Sequence, residues 1–357
     1  MDSALFQENE RTAAVTDERQ IAHLGPFQTE RGFEFSGIQI AYETWGQLNE
    51  ARDNAILVCH ALSGDAHAIG WWSRLIGPGK AIDTEKYFVI CSNVLGGCQG
   101  STGPSSLAED GQPFGSRFPI IGINDMVDAQ ALLLDHLQIL TLHAVAGGSM
   151  GGMQALAWSV RYADRVRKCF VTASGAAHSA MQIGFNEVGR QAIIRDPKWR
   201  GGDYPLNDPP RDGLAVARML GHITFLSEDA FGQKFARRLQ GKEAFDYHFG
   251  VEFEVESYLN YQGDKFTSRF DANSLLVLTR ALDYFELKDL CAAKADFLFA
   301  SFTSDWLYPP HQSETLHLMA KNAGRNSDHV LIDLPYGHDA FLLDGEVQGT
   351  RLRKFLV

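Results

Sequence analysis

Short apolar runs recur along the first half of the chain, at 38–44, 55–60, 87–92, 142–146 and 168–173. The later ones are continuously apolar and dense in Val, Ile, Phe and Cys, where a strand with one wet face would alternate. They predict strands covered on both faces. Between 124 and 138 the period changes. Met126, Val127, Leu133, Leu134 and Leu137 recur at three- and four-residue steps behind Asn124, which predicts a helix capped by that asparagine. A second helix is expected over 150–161, directly after a strand. Strands alternating with helices imply a mostly parallel α/β sheet, with ligand groups at the carboxyl ends of its strands.

From about 180 to 285 the strand runs stop, and charged helical patterns and loop material (Asp196-Pro197, Gly201-Gly202, Asp208-Pro209-Pro210) replace them. Strand-like runs resume at 297–302 and 329–334. The expected organisation is one core, 1–179 and 286–357, interrupted by a helical insertion at 180–285 that covers the sheet's active edge as a lid. The 357 residues, long for one ordinary core, fit an inserted domain.

Composition then removes several classes of function. The longest apolar runs, such as 56–59 and 275–278, fall far short of the ~18–20 residues that span a bilayer. Lys plus Arg is 32 against 44 Asp plus Glu, a net charge of −12, which argues against non-specific nucleic-acid binding. The first twenty residues are charged, with no apolar run of the kind a secretory leader needs, so a cytoplasmic protein is expected. Five dispersed cysteines (Cys59, Cys91, Cys98, Cys169 and Cys291), three of them in strand-like runs, read as free thiols in a reducing compartment. No CxxC or HExxH occurs, and no metal site is expected.

The sharpest chemical signal is Gly147-Gly148-Ser149-Met150-Gly151-Gly152, a G-x-S-x-G string between a predicted strand and a predicted helix. A tight strand-to-helix turn strains the serine backbone and lifts its hydroxyl above the sheet. The residues two before and two after must then be small. A glycine-rich phosphate loop fits less well, because its lysine is missing. The Met150 N–H, at the start of the helix, is placed to stabilise an oxyanion.

A serine hydroxyl needs a base to take its proton and an acid to orient that base. In this arrangement the chain order is Ser, acid, His. Among the later histidines (His248, His311, His317, His329 and His338), His338 is preferred, because it sits in a loop just after the 329–334 strand. Asp305 follows the 297–302 strand and is the preferred acid. Asp296 and Asp333, before and within strands, read as structural. A second oxyanion donor is expected from the loop after the 55–60 strand, with the Leu62 N–H as the candidate. His60 and His67, which flank a glycine turn there, read as loop-fixing groups rather than metal ligands.

These residues lie in longer strings by which the chain resembles the homoserine O-acetyltransferase family: CHALSGDAH at 59–67, GWWSRLIGPGKAID at 70–83, NVLGGCQGSTGPSSL at 93–107, GGSMGGMQAL at 147–156 and YGHDAFL at 336–342. The insertion contributes RQAIIRDPKWRGGDY at 190–204 and ESYLNYQGDKFTSRFDAN at 256–273. The likeness runs from about residue 30 to the end and leaves out the first 25 or so. It implies an α/β-hydrolase fold with a helical lid, and an acetyl group carried from acetyl-CoA to homoserine through an acetyl-Ser149. Acetyl-CoA is then a co-substrate and no resident cofactor is needed. It further implies that Arg218 meets the acceptor carboxylate and Asp339 its ammonium, and that the protein is a homodimer in methionine biosynthesis. Residue by residue, Arg218 would otherwise be a solvated helix arginine and Asp339 a helix cap.

Two departures stand out. Many members carry a tyrosine near the substrate where this chain has Phe225, and an Asn-Pro common in the family is Ala108-Glu109 here. Rival readings are succinyl-CoA as donor, serine as acceptor, or a plain serine esterase. Asp65, near the proposed donor site, would repel a succinyl carboxylate. A non-enzymatic binding protein would have no reason to keep Ser149, Asp305 and His338 in that order.

Overall fold

The structure, a computed structural model, describes residues 19–357. Most of the N-terminal segment, on which the absence of a leader was argued, lies outside the described residues. Eight strands form one sheet: β1 (Gln20–Leu24), β2 (Ile38–Trp45), β3 (Ala55–Cys59), β4 (Phe88–Ser92), β5 (Leu142–Gly148), β6 (Val166–Thr172), β7 (Asp296–Phe302) and β8 (Ser327–Ile332). Their order is β1-β2-β4-β3-β5-β6-β7-β8. The pairings from β4 through β8 are parallel, and β1 and β2 run antiparallel at one edge.

The double burial read from the apolar runs is explained by two hydrophobic clusters, one on each face. Leu57, Cys59, Val145, Cys169 and Val171 pack on one side with Met126, Leu133 and Leu134 of helix α1 (Ile123–His136) and Met153, Leu156 and Trp158 of α2 (Met150–Arg161). Ile56, Val58, Ala144, Ala146 and Phe170 point the other way, towards Trp72 and the C-terminal residues Leu352 and Leu356. All five cysteines are free, and Cys59, Cys91 and Cys169 are buried.

Two local readings are corrected. Asn124 does not cap α1. The helix starts one residue earlier, and the Gly122 N–H donates to Asp125 Oδ2 at 2.7 Å, while Asn124 Nδ2 reaches across to Glu30. The edge strand β1 was not foreseen: only Ala22 of its five residues is buried, so it carries almost no apolar pattern.

Between β6 and β7 the chain adds no strand to the main sheet. It forms α3 (Ala180–Ile194), α4 (Arg211–Phe225), α5 (Glu228–Lys234), α6 (Glu254–Thr267) and α7 (Ala272–Tyr284). Ser179, Ser227 and Asp271 cap three of these helices with their side-chain oxygens. Helix α8 (Pro310–Asn322) returns the chain to the core, and α9 (Val347–Leu356) closes it.

Candidate active site

Parallel register brings Cys59, Gly147 and Val171 level at the carboxyl ends of β3, β5 and β6. Ser149 follows two residues beyond Gly147, with φ 55° and ψ −124°. That left-handed backbone is strained for serine, and it persists because its surroundings hold it. The Ser149 N–H donates to Thr172 O at 3.1 Å, and Ser174 Oγ donates to Ser149 O at 2.8 Å. A Cβ on Gly147 would overlap the Gly151 carbonyl, and one on Gly151 would overlap the Cys59 carbonyl. The flanking glycines therefore let three backbones meet under the serine.

Asp305, three residues past the end of β7, is almost fully buried. Its Oδ1 accepts the Leu307 and Tyr308 amides at 3.0 and 2.8 Å, and its Oδ2 meets His338 Nδ1 at 2.8 Å. A carboxylate only accepts, so His338 carries its proton on Nδ1 and leaves Nε2 basic. Tyr308, Phe341 and Phe225 surround the imidazole, with ring centroids at 5.1, 5.3 and 6.1 Å. Ser149 and His338 line one cavity of about 780 Å³, walled on one side by lid helices.

The loop after β3 supplies another wall. His60 fixes it: Nδ1 donates to Ala61 O at 2.8 Å, and Nε2 accepts the Val94 N–H at 3.1 Å. His67 Nδ1 pairs instead with the buried Glu43 at 2.7 Å. Both rings are thus held by local partners, and among the described residues no group of three or more His, Cys, Asp or Glu could hold a metal. Leu62 lines the cavity, and Met150 opens α2 beside Ser149. Among the described residues neither amide has a backbone partner outside the regular helices and strands.

Arg218 of α4 and Asp339, beside His338, line the same cavity. Arg218 Nη1 donates to Ser63 Oγ at 3.2 Å, and its guanidinium stands 4.7 Å over the Phe266 ring. Burial, then the neighbouring Arg269 cation, pulls it down to about 10, so it stays charged. Burial pushes Asp339 up to about 6 against the pull of His338 and Arg218. Arg218 and Asp339 thus feel each other's charge within the cavity.

Sequence reasoning missed several lining residues. Lys234, Lys265 and Arg269 join Arg190 and Arg218 as the cavity's cations, against only Asp65 and Asp339 among its acidic residues. Their combined field is felt by His222. Burial first, then Arg218, Lys234, Arg269 and Lys265, press its pKa down to about 2, so it is neutral, with Nδ1 hydrogen-bonded to the Tyr258 hydroxyl at 3.1 Å. Lys265 and Arg269 lay inside a recognised string, yet nothing in their spacing gave them a role. Tyr308, three residues after Asp305, was also passed over.

A family model for the alpha/beta hydrolase fold matches residues 54–344. A homoserine O-acetyltransferase from Methanohalobium evestigatum is 52% identical over 344 residues, 92% of this chain and 70% of its own length. The crystal structure of a homoserine O-acetyltransferase from Bacillus anthracis superposes with a TM-score of 0.89 at 28% identity, covering 95% of this chain and 97% of that one. The crystal structure of esterase E22 superposes equally well, at 0.89 and 29% identity, over 95% of this chain and 100% of its own. Among the described residues no helix is long and apolar enough to cross a membrane.

Proposed function

This chain belongs to the homoserine O-acetyltransferase family of α/β hydrolases, and we propose that it works through an acetyl-Ser149 formed from acetyl-CoA. Ser149 Oγ attacks the thioester carbonyl while His338 Nε2 takes its proton. The Leu62 and Met150 amides stabilise the developing oxyanion, and the His338 proton leaves with the CoA sulfur. Homoserine then enters. His338 removes its hydroxyl proton, the alkoxide attacks the acetyl carbonyl, and Ser149 departs with the proton from His338. Asp305 keeps the imidazole in the tautomer and orientation both halves require.

One observation carries the choice of transfer over hydrolysis. Arg218 and Asp339, of opposite sign, stand in the cavity that holds Ser149 and His338. Such a pair matches the carboxylate and ammonium of an amino acid, which a simple ester does not present. The lid wall favours the same outcome, since an acetyl-enzyme must be shielded from water until the acceptor arrives. Homodimer assembly and a cytoplasmic setting complete the reading; light scattering and cell fractionation address them.

The test follows acetyl-CoA alone, then with homoserine or serine, and succinyl-CoA in parallel. Mass spectrometry should find an acetyl adduct on Ser149 in the half-reaction, discharged by homoserine. Free acetate released just as fast without any amino acid would make the protein a hydrolase, as the likeness to esterase E22 allows.

A further inference from the structure

A second buried polar chain reaches the ring packed on His338 from the lid side. His178, just before α3, sets Nδ1 3.0 Å from Asp283 Oδ1, while its Nε2 lies 2.7 Å from the Tyr308 hydroxyl. Asp283, near the end of α7, also accepts from Asn186 Nδ2 at 2.7 Å and forms an ion pair with Arg190 at 2.7 Å. His178, Asp283 and Arg190 each keep only 4% of their side-chain surface exposed. The Tyr308 ring stacks on His338 at 5.1 Å and 23°, and both line the cavity together with Ser149.

Donor counting fixes the direction of this chain. The Asp283 carboxylate only accepts, so His178 Nδ1 carries a proton. Its Nε2 then accepts the proton of Tyr308, a phenol that burial holds in its neutral form. Asp283 stays ionised: burial pushes it up, but the bonds from His178 and Asn186 and the charge of Arg190 outweigh that and hold it below the usual carboxylate range. Arg190, Asn186 and Asp283 all belong to lid helices, whereas Ser149, Tyr308 and His338 belong to the core.

We propose that Tyr308 is a positioning residue for the transfer reaction: the lid cluster His178–Asp283–Asn186–Arg190 anchors its hydroxyl, and its ring, so held, sets the plane of His338. The base then has a support anchored in the lid rather than in the sheet. The arrangement gives a role to a carboxylate and a guanidinium that are buried as an ion pair in the lid. It rests on Ser149 and His338 acting as proposed above.

The experiment measures acetyl-CoA-dependent acetylation of the enzyme and full turnover in Tyr308→Phe, His178→Asn and the double variant, with Ser149→Ala alongside and thermal melts for all four. Tyr308→Phe keeps the ring and its stacking. It should lower kcat roughly ten- to a hundredfold with little change in either KM, since only the alignment of reacting groups is lost. His178→Asn should give a comparable loss, and the double variant no more than the larger single loss, because both act through one hydroxyl. Wild-type kcat in Tyr308→Phe, or fully multiplicative losses in the double variant, would overturn the proposal. If His178→Asn does not fold, the kcat-against-KM split in Tyr308→Phe decides alone. Full activity in Ser149→Ala would instead remove the underlying mechanism, a separate failure.

Discussion

At the scale of single residues, Asp339 is the most exposed to a simple test. Its pKa is raised to about 6 by burial, so it is a carboxylate at pH 7 and largely a neutral acid at pH 5. If it receives the acceptor's ammonium, kcat/KM for homoserine should fall about tenfold per pH unit below 6. Acetylation of Ser149 by a small uncharged ester should lack that component, and Asp339→Asn should remove it. Linkage has the opposite sign for stability. A raised acid pKa means that the folded state binds the proton more tightly than the unfolded one, so this residue's contribution declines as pH rises from about 4 through about 6. Asp339→Asn should therefore gain thermal stability over the parent at pH 8 more than at pH 4.5. Asp305 offers a sharper contrast: Asp305→Asn would let His338 take the wrong tautomer, and kcat should drop about 10³- to 10⁴-fold in the presence of an intact fold. Ser149, Asp305 and His338 were legible because each sits where a strand ends, and strand ends can be found from apolar runs. Tyr308, His178 and Asp283 were not, since residues 178, 283 and 308 meet only after the lid has packed on the core.

Among the elements, β5, the elbow and α2 were readable almost to the residue, because three neighbouring constraints agree: an apolar strand run, glycines at the crossing points and a helical period beyond. The same agreement predicts where substitution fails. Gly147→Ala or Gly151→Ala would drive a Cβ into a backbone carbonyl that cannot swing aside, costing roughly 1–3 kcal/mol and moving Ser149. Urea melts and acetyl-CoA turnover on the same samples would register both. Gly184, on the exposed side of α3 with nothing within 4 Å of a new Cβ, should behave oppositely. Gly184→Ala ought to stabilise by roughly 0.4–1 kcal/mol, since it only restricts the unfolded chain and favours helix. The elements read poorly were those whose cause is not local. Edge strand β1 is held by its pairing with β2 rather than by apolar residues. At the start of α1, Asp125 serves both Gly122 and Glu30, which no helical pattern around Asn124 reveals.

For the whole molecule, the instructive quantity is charge. The chain carries −12, yet its cavity is lined by Arg190, Arg218, Lys234, Lys265 and Arg269 against Asp65 and Asp339. The insertion could be read from the disappearance of strand runs between 180 and 285, but its electrostatics could not. The five cations are spread over residues 190–269 and become one field only when α3, α4 and α6 pack together. A cationic cavity in an anionic protein attracts a polyanionic donor to one mouth while the remaining surface repels it. Such attraction is screened at a Debye length of about 10 Å in 0.1 M salt. The KM for acetyl-CoA should therefore rise severalfold between 0.02 and 0.5 M potassium chloride (about 20 to 4 Å of Debye length), whereas the rate with an uncharged acetyl ester should stay nearly flat. Lys265→Gln should raise KM for acetyl-CoA and flatten its salt dependence, leaving the ester reaction unchanged. A salt response shared by both donors would place the effect on the fold rather than on the cavity's charge.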